Sequence, residues 1–291
     1  MEKLLSWYKK HGRKLPWRRT RDPYKILVSE VMLQQTQVPR VLLYYEKWLT
    51  QFPSWRSLAQ ATNAQVIRAW SGLGYNRRAL MLRDVAKTVV GQGVPKSETD
   101  WQKLKGIGPY TAAALAVFSL RTRALPIDVN VRRVLGRVFF GKPYPTPKID
   151  RLICENKRIV FGRAHQFYDV PQALFDLSTM ICKKKPLCEI CPLRTECKTA
   201  PRFLSGGVKT PKRSLKKSRE RIRIGKKYPD RIYRGRILKL AAHIRGVGLR
   251  HVGSVVDPAY TPRDAAWMTA MIERLIADKL VVRRRGRLFV E

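Results

Sequence analysis

The chain has 291 residues, of which 44% are apolar, an ordinary proportion for a globular protein with a real hydrophobic core. Against 60 Lys and Arg stand only 21 Asp and Glu, and the resulting formal net charge of +39 calls for a polyanionic partner, nucleic acid before a membrane surface. No apolar run approaches the ~18 residues of a membrane span or forms a leader at the amino terminus, so the chain is expected to be soluble and intracellular, cytoplasmic or nucleoid-associated.

In chain order, residues 4 to about 193 read as successive helices. Apolar side chains recur at three- and four-residue intervals, as at Tyr24, Leu27, Val28 and Val31, or Val41, Leu42, Tyr45 and Leu49. Pro and Gly punctuate the pattern, which predicts an all-α domain over residues 1–200. Residues 201–230 carry a dense basic run from Lys212 to Lys227 and are expected to form a linker. Residues 231–291 are expected to hold a helix over 234–245, a second opening at Thr261 and Pro262 and running to about Lys279, and a hairpin with Arg284, Arg285 and Gly286 at its tip. Two helices and a basic hairpin suggest a small winged-helix-like domain, the alternative being a helical module that only props the first domain. The predicted fold class is therefore mainly α.

Three local features carry candidate chemistry. Gly106, Ile107 and Gly108 separate two helices, and a Gly-x-Gly turn before a helix can present backbone N–H groups to a phosphate. Glu30 lies inside Ile26 to Leu33, an apolar setting that is costly for a free carboxylate and that raises its pKa. Asp128 stands where a helix begins, so an N-cap role competes with any catalytic one. Four of the five cysteines, Cys182, Cys188, Cys191 and Cys197, are spaced Cys-x5-Cys-x2-Cys-x5-Cys. That suits a metal site, iron–sulfur or zinc, better than a disulfide framework. Cys154 stands apart and reads as a buried structural residue.

Leu15-Pro16-Trp17-Arg18, Asp22-Pro23-Tyr24, Ser29 to Val38, Gly72-Leu73-Gly74-Tyr75, the Gly106 hairpin, and Asp128 with Asn130 occur in an order that closely resembles the adenine DNA glycosylases of the MutY family. The resemblance covers residues 1 to about 200. It implies a helix-hairpin-helix glycosylase fold, two helical subdomains beside a DNA cleft, a monomer, and excision of adenine mispaired with 8-oxoguanine or guanine in double-stranded DNA. By the same resemblance Glu30 protonates the flipped base and Asp128 stabilises the cationic sugar, with Tyr110 orienting Asp128 and Asn130 assisting. Tyr110 stands where strand-cleaving relatives carry lysine, which implies a monofunctional enzyme. Gln35 and Tyr75 match the family's intercalating pair, Thr36 and Leu73 flank the opposite purine, and Arg13, Trp17, Arg18 and Asp176 match its base and DNA contacts.

The family carries a [4Fe-4S] cluster on a Cys-x6-Cys-x2-Cys-x5-Cys pattern, whose first loop is one residue longer than the one here. This sequence departs from the family elsewhere as well. Asp176 replaces a glutamate, Val129 replaces a glycine, and no lesion-reading motif of the Nudix-like domain follows residue 200. The basic tail reads instead as a nonspecific phosphate clamp. A T:G mismatch glycosylase of the sister family and a noncatalytic DNA-binding protein are the alternatives.

Overall fold

A computed structural model of the chain describes residues 1–162, 167–211, 222–243 and 247–290. The first helices are α1 (Glu2–His11) and α2 (Pro23–Leu33), followed by α3 (Val38–Gln51), α4 (Trp55–Gln60), α5 (Asn63–Trp70) and α6 (Arg77–Gln92). Next come α7 (Glu98–Lys103), α8 (Pro109–Phe118), α9 (Val129–Val138), α10 (Asp150–Glu155), α11 (Lys157–Phe161), α12 (Asp169–Met180) and α13 (Ala200–Leu204). The carboxy-terminal part holds α14 (Asp230–His243), β1 (Val247–Gly248), α15 (Leu249–Val256), α16 (Ala265–Ala277), β2 (Val282–Arg284) and β3 (Arg287–Phe289). No described helix is long and apolar enough to cross a membrane.

The backbone divides into two compact units, Met1–Glu30 with Pro95–Arg213, and Val31–Val94 with Ser214–Glu291. In the first, α9 packs on α12 and α12 on α1. The cause is visible in α9, where Val131, Val134, Leu135 and Val138 follow the helical period and are buried against Leu4, Leu174 and Leu177. Helix α8 begins with Gly108 as N-cap and Pro109 at its first position, and Ala112 to Val117 are buried all round.

The second unit is opened by good helix starts. Ser54 with Ser57 and Thr62 with Gln65 form reciprocal capping boxes on α4 and α5. Trp48 meets Trp70 edge-on at 5.4 Å between ring centres. Helix α14 lies on α5, and Ile67 of α5 is buried in the same apolar cluster as Ile237, Trp267, Met271 and Leu288. The carboxy-terminal helices and hairpin therefore share a core with Ile67 of α5 and Leu80 of α6.

The carboxy-terminal chain runs helix, strand, helix, helix, hairpin, with the antiparallel sheet ordered β1-β3-β2. Sequence periodicity anticipated the hairpin and the flanking helices but neither β1 nor α15. A two-residue strand is too short to show alternation, and α15 follows it directly. Helix α14 begins four residues before the expected start, at Asp230, and its expected end at Arg245 lies outside the described residues.

Near the end of the run read as a linker, the Lys226 ammonium bridges Asp257 and Asp264 at 2.7 Å each, and its side chain is only 3% exposed. One expectation is corrected. Cys154 is exposed, since α10 turns its neighbour Ile153 into the core instead. The basic run over 212–221 lies outside the described residues.

Candidate active site

Within the first unit, α2 carries Glu30, the start of α8 carries Tyr110, and the start of α9 carries Asp128. Glu30 is 7% exposed, and burial pushes its carboxyl up to about 7. The Tyr110 hydroxyl donates a hydrogen bond to Glu30 and the Arg18 charge pulls the same way, so both partly offset that burial, while the nearby Asp128 charge adds to it. Burial, Glu30 and Asp128 together hold the Tyr110 phenol well above its ordinary value, so it stays a neutral donor. The expected partnership of Tyr110 with Asp128 is therefore altered: the tyrosine's hydrogen bond goes to Glu30.

Asp128 is the N-cap of α9. Its Oδ1 accepts from the backbone N–H of Asn130 at 2.8 Å and of Val131 at 2.7 Å, and its Oδ2 accepts from Asn130 Nδ2 at 2.7 Å. The N-cap reading of this residue holds, and Asn130 supports it with both a backbone and a side-chain hydrogen bond. Val129 is 63% exposed at the first position of the helix.

Asp176 is fully buried and saturated. Arg18 grips it with two parallel hydrogen bonds of 2.7 and 2.8 Å, while Arg13 adds a side-chain bond of 2.6 Å and a backbone bond of 2.8 Å. Burial alone would raise its carboxyl, but the two arginines outweigh burial and hold it below the ordinary range. Asp176 consequently acts on its surroundings by fixing Arg13 and Arg18. Trp17 is buried at 7% exposure in the short turn that also carries Arg18.

At the Gly-x-Gly turn, Gly106 adopts φ 92°, a left-handed conformation that favours glycine, and Gly108 stays extended and exposed before α8. Pro109 has no N–H, and the remaining N–H groups of that first turn have no intrahelical partner, which is the chemistry an anion site uses.

In the second unit, Gln35 and Tyr75 both hold left-handed backbones, with φ 59° and 50°, which is strained for residues with side chains. Both line an open cleft of about 690 Å³ together with buried Leu73, while Thr36 stands half-buried beside Gln35. Gly72 holds a left-handed φ of 106°, and a Cβ there would sit 2.2 Å from the Tyr44 hydroxyl and force it to move.

The residue that ties these loops together escaped sequence reading. Arg78 donates to the carbonyls of Val31 at 3.1 Å, Gln34, and Gly74 at 3.4 Å, and lies over the Tyr75 ring at 4.9 Å. One sequence signal existed: Arg77 and Arg78 occupy the first turn of α6, where cations oppose the helix dipole.

Cys182, Cys188, Cys191 and Cys197 line one pocket with Arg137. Among the described residues no three His, Cys, Asp or Glu side chains are gathered closely enough for a single metal ion. Arg137, only 2% exposed, is the second residue that sequence reading missed. It holds the loop by donating to the carbonyls of Pro143 at 2.8 Å, Lys183 at 2.6 Å and Lys184 at 3.1 Å, and it lies 3.4 Å from Cys182 Sγ. A buried cation beside four thiols complements the negative charge they acquire as ligands, so the donor set fits a thiolate-bound cluster.

Residues 28–157 match the family model of HhH-GPD superfamily base excision DNA repair proteins. An adenine DNA glycosylase of Mycobacterium tuberculosis is 34% identical over 96% of this chain and 89% of its own length. The adenine DNA glycosylase of Buchnera aphidicola is 37% identical over 67% of this chain, which spans 57% of that relative. Among solved structures, a thermostable thymine-DNA glycosylase is similar with a TM-score of 0.64 and 27% identity, covering 69% of this chain and 94% of its own. An endonuclease III–DNA complex shares the fold at a TM-score of 0.58. With its paired carboxylates, its Gly-x-Gly helix start and a relative matched almost end to end, the chain belongs to the adenine DNA glycosylase family of HhH-GPD base excision repair proteins.

Proposed function

We propose that the protein hydrolyses the N-glycosidic bond of adenine mispaired with 8-oxoguanine or guanine in duplex DNA. The observation that carries this reading is Glu30, buried and held near a pKa of about 7 beside a second carboxylate and a phenol. A carboxyl poised there is half protonated at neutral pH, so it can donate a proton to N7 of a flipped adenine. As the bond between C1′ and N9 breaks, the Asp128 carboxylate stabilises the cationic sugar. The Glu30 carboxylate then takes a proton from the water that attacks C1′, which restores the starting state. Tyr110 supplies no amine for a Schiff base, so the reaction ends at the abasic site without strand cleavage.

Gln35 and Tyr75 fill the gap that the extruded base leaves, and their strained backbones support the reading. The N–H groups after Gly108 hold a phosphate. Cys182, Cys188, Cys191 and Cys197 hold a [4Fe-4S] cluster, with Arg137 against it; iron and sulfide in the purified protein, rather than zinc, check this assignment.

Single-turnover excision on duplexes carrying A:8-oxoguanine, A:G, T:G and U:G tests the whole reading. Adenine is expected to be released and the strand left intact, and Glu30→Gln should lower the rate by about 10² to 10⁴ with binding retained. Release of thymine instead of adenine would place the chain with the thymine glycosylase it resembles in structure.

A further inference from the structure

We propose that the carboxy-terminal hairpin is a second contact for duplex DNA, gripping backbone phosphates of the same duplex that the Gln35–Tyr75 wedge enters. The proposal rests on the reading of the chain as an enzyme of duplex DNA. Strands β2 and β3 pair Val282 with Phe289, Arg283 with Leu288 and Arg284 with Arg287, leaving Arg285 and Gly286 as a two-residue turn. Both turn residues are left-handed, with φ 46° and 72°, the conformation that a tight hairpin demands. An arginine at the first of these positions is strained where glycine or asparagine would be at ease.

Arg284 and Arg287 face each other directly across the ladder, and like charges so placed are destabilising. Arg283, Arg284, Arg285 and Arg287 are all exposed, and none has an ion-pair partner among the described residues. All four aspartates described in the carboxy-terminal part are engaged elsewhere. Asp230 pairs with Arg274, Asp257 and Asp264 with Lys226, and Asp278 with Arg234. Four guanidinium groups kept together at a cost in stability, on a strained tip, suit a polyanion of regular charge spacing.

The hairpin's position narrows the partner to the duplex at the wedge. Leu275, Asp278 and Leu280 line the same cleft as Gln35 and Tyr75, and β2 starts two residues after Leu280. Leu288 of β3 is fully buried in the core that includes Ile67 of α5, so the hairpin is anchored to the helices behind the wedge. The helix–strand–helix–helix–hairpin order is that of a winged helix whose wing is the arginine tip.

The test is equilibrium binding of the full chain to an undamaged duplex and to an A:8-oxoguanine duplex across a salt series, with single-turnover excision measured in parallel. Replacing Arg283, Arg284, Arg285 and Arg287 by Gln should flatten the log–log salt slope by about 2 to 4 on both duplexes. The same four positions as Lys should keep the slope, and excision at saturating enzyme should stay within about twofold of the parent. Relief of the Arg284–Arg287 repulsion should leave the melting temperature equal or higher. An unchanged slope, or an equal loss in the Lys variant, would overturn the proposal, as would a loss of binding to anionic vesicles with DNA binding intact. A flattened slope in a protein that excises no adenine would uphold the hairpin contact and refute only the enzymatic reading.

Discussion

Glu30 and Asp176 are both buried carboxylates of the same unit, yet they stand at opposite ends of the range open to such a group. Asp176 receives four hydrogen bonds from two arginines and is held ionised below the ordinary carboxylate range. Glu30 has the hydroxyl of Tyr110 and a neighbouring negative charge, and it rises to about 7. Burial is common to both, so burial alone tunes neither. The number and charge of the donors decide whether a hidden carboxyl acts as a strut or as an acid.

The largest effect that could break this contrast is expected at the strut. Asp176→Asn leaves two guanidinium groups facing a neutral amide, and unfolding by denaturant should show a loss of about 3 to 5 kcal/mol, the cost of stranding buried charge. A loss under about 1 kcal/mol would mean that water already solvates the arginines.

The acid should behave in the opposite sense. Glu30 has a folded pKa of about 7 against 4.5 in the open chain, so its contribution favours folding at low pH and is lost as pH rises through the folded value. From roughly 4.5 to 7 that amounts to about 3 kcal/mol. Glu30→Gln should therefore be more stable than the parent at pH 8 by about that amount, with the gain vanishing towards pH 4.5. A less stable variant at pH 8 would show that the carboxyl is not held protonated by burial.

The smallest effect sharpens the role of Tyr110. Because its hydroxyl donates to the Glu30 carboxylate, Tyr110→Phe removes support from the ionised form and moves the Glu30 pKa upward. The alkaline limb of the pH–rate profile should shift up by about one unit, the worth of a lost charge-assisted hydrogen bond of about 1.5 kcal/mol. A shift downward would place the tyrosine's hydrogen bond on Asp128 instead.

How far the sequence disclosed these features depended on distance along the chain. Glu30 stood out because its own neighbours are apolar, and Asp128 because an N-cap is read from the residues that follow it. The resemblance grouped Arg13, Arg18 and Asp176, but not as partners of one another, since the arginines lie 163 and 158 positions from the aspartate and no local pattern joins them. Arg137 was one cation among 60 until its carbonyl partners were known, and Arg78 left only the weak signal of a cation in the first turn of a helix. At the carboxy terminus the hairpin was legible from turn chemistry, whereas β1 forms only because β3 lies beside it. The engagement of Lys226 with two distant acids could not be told from the basic run around it.

Asp128 serves two masters with a single side chain. Asparagine caps a helix about as well as aspartate, so Asp128→Asn should keep both backbone hydrogen bonds of α9 and the fold with them, while removing the charge proposed to stabilise the cationic sugar. Position 128 thus tolerates two residues for architecture and one for turnover. Asp128→Asn is therefore expected to leave a folded protein that still binds DNA and excises no base, which binding and single-turnover excision measured side by side would check.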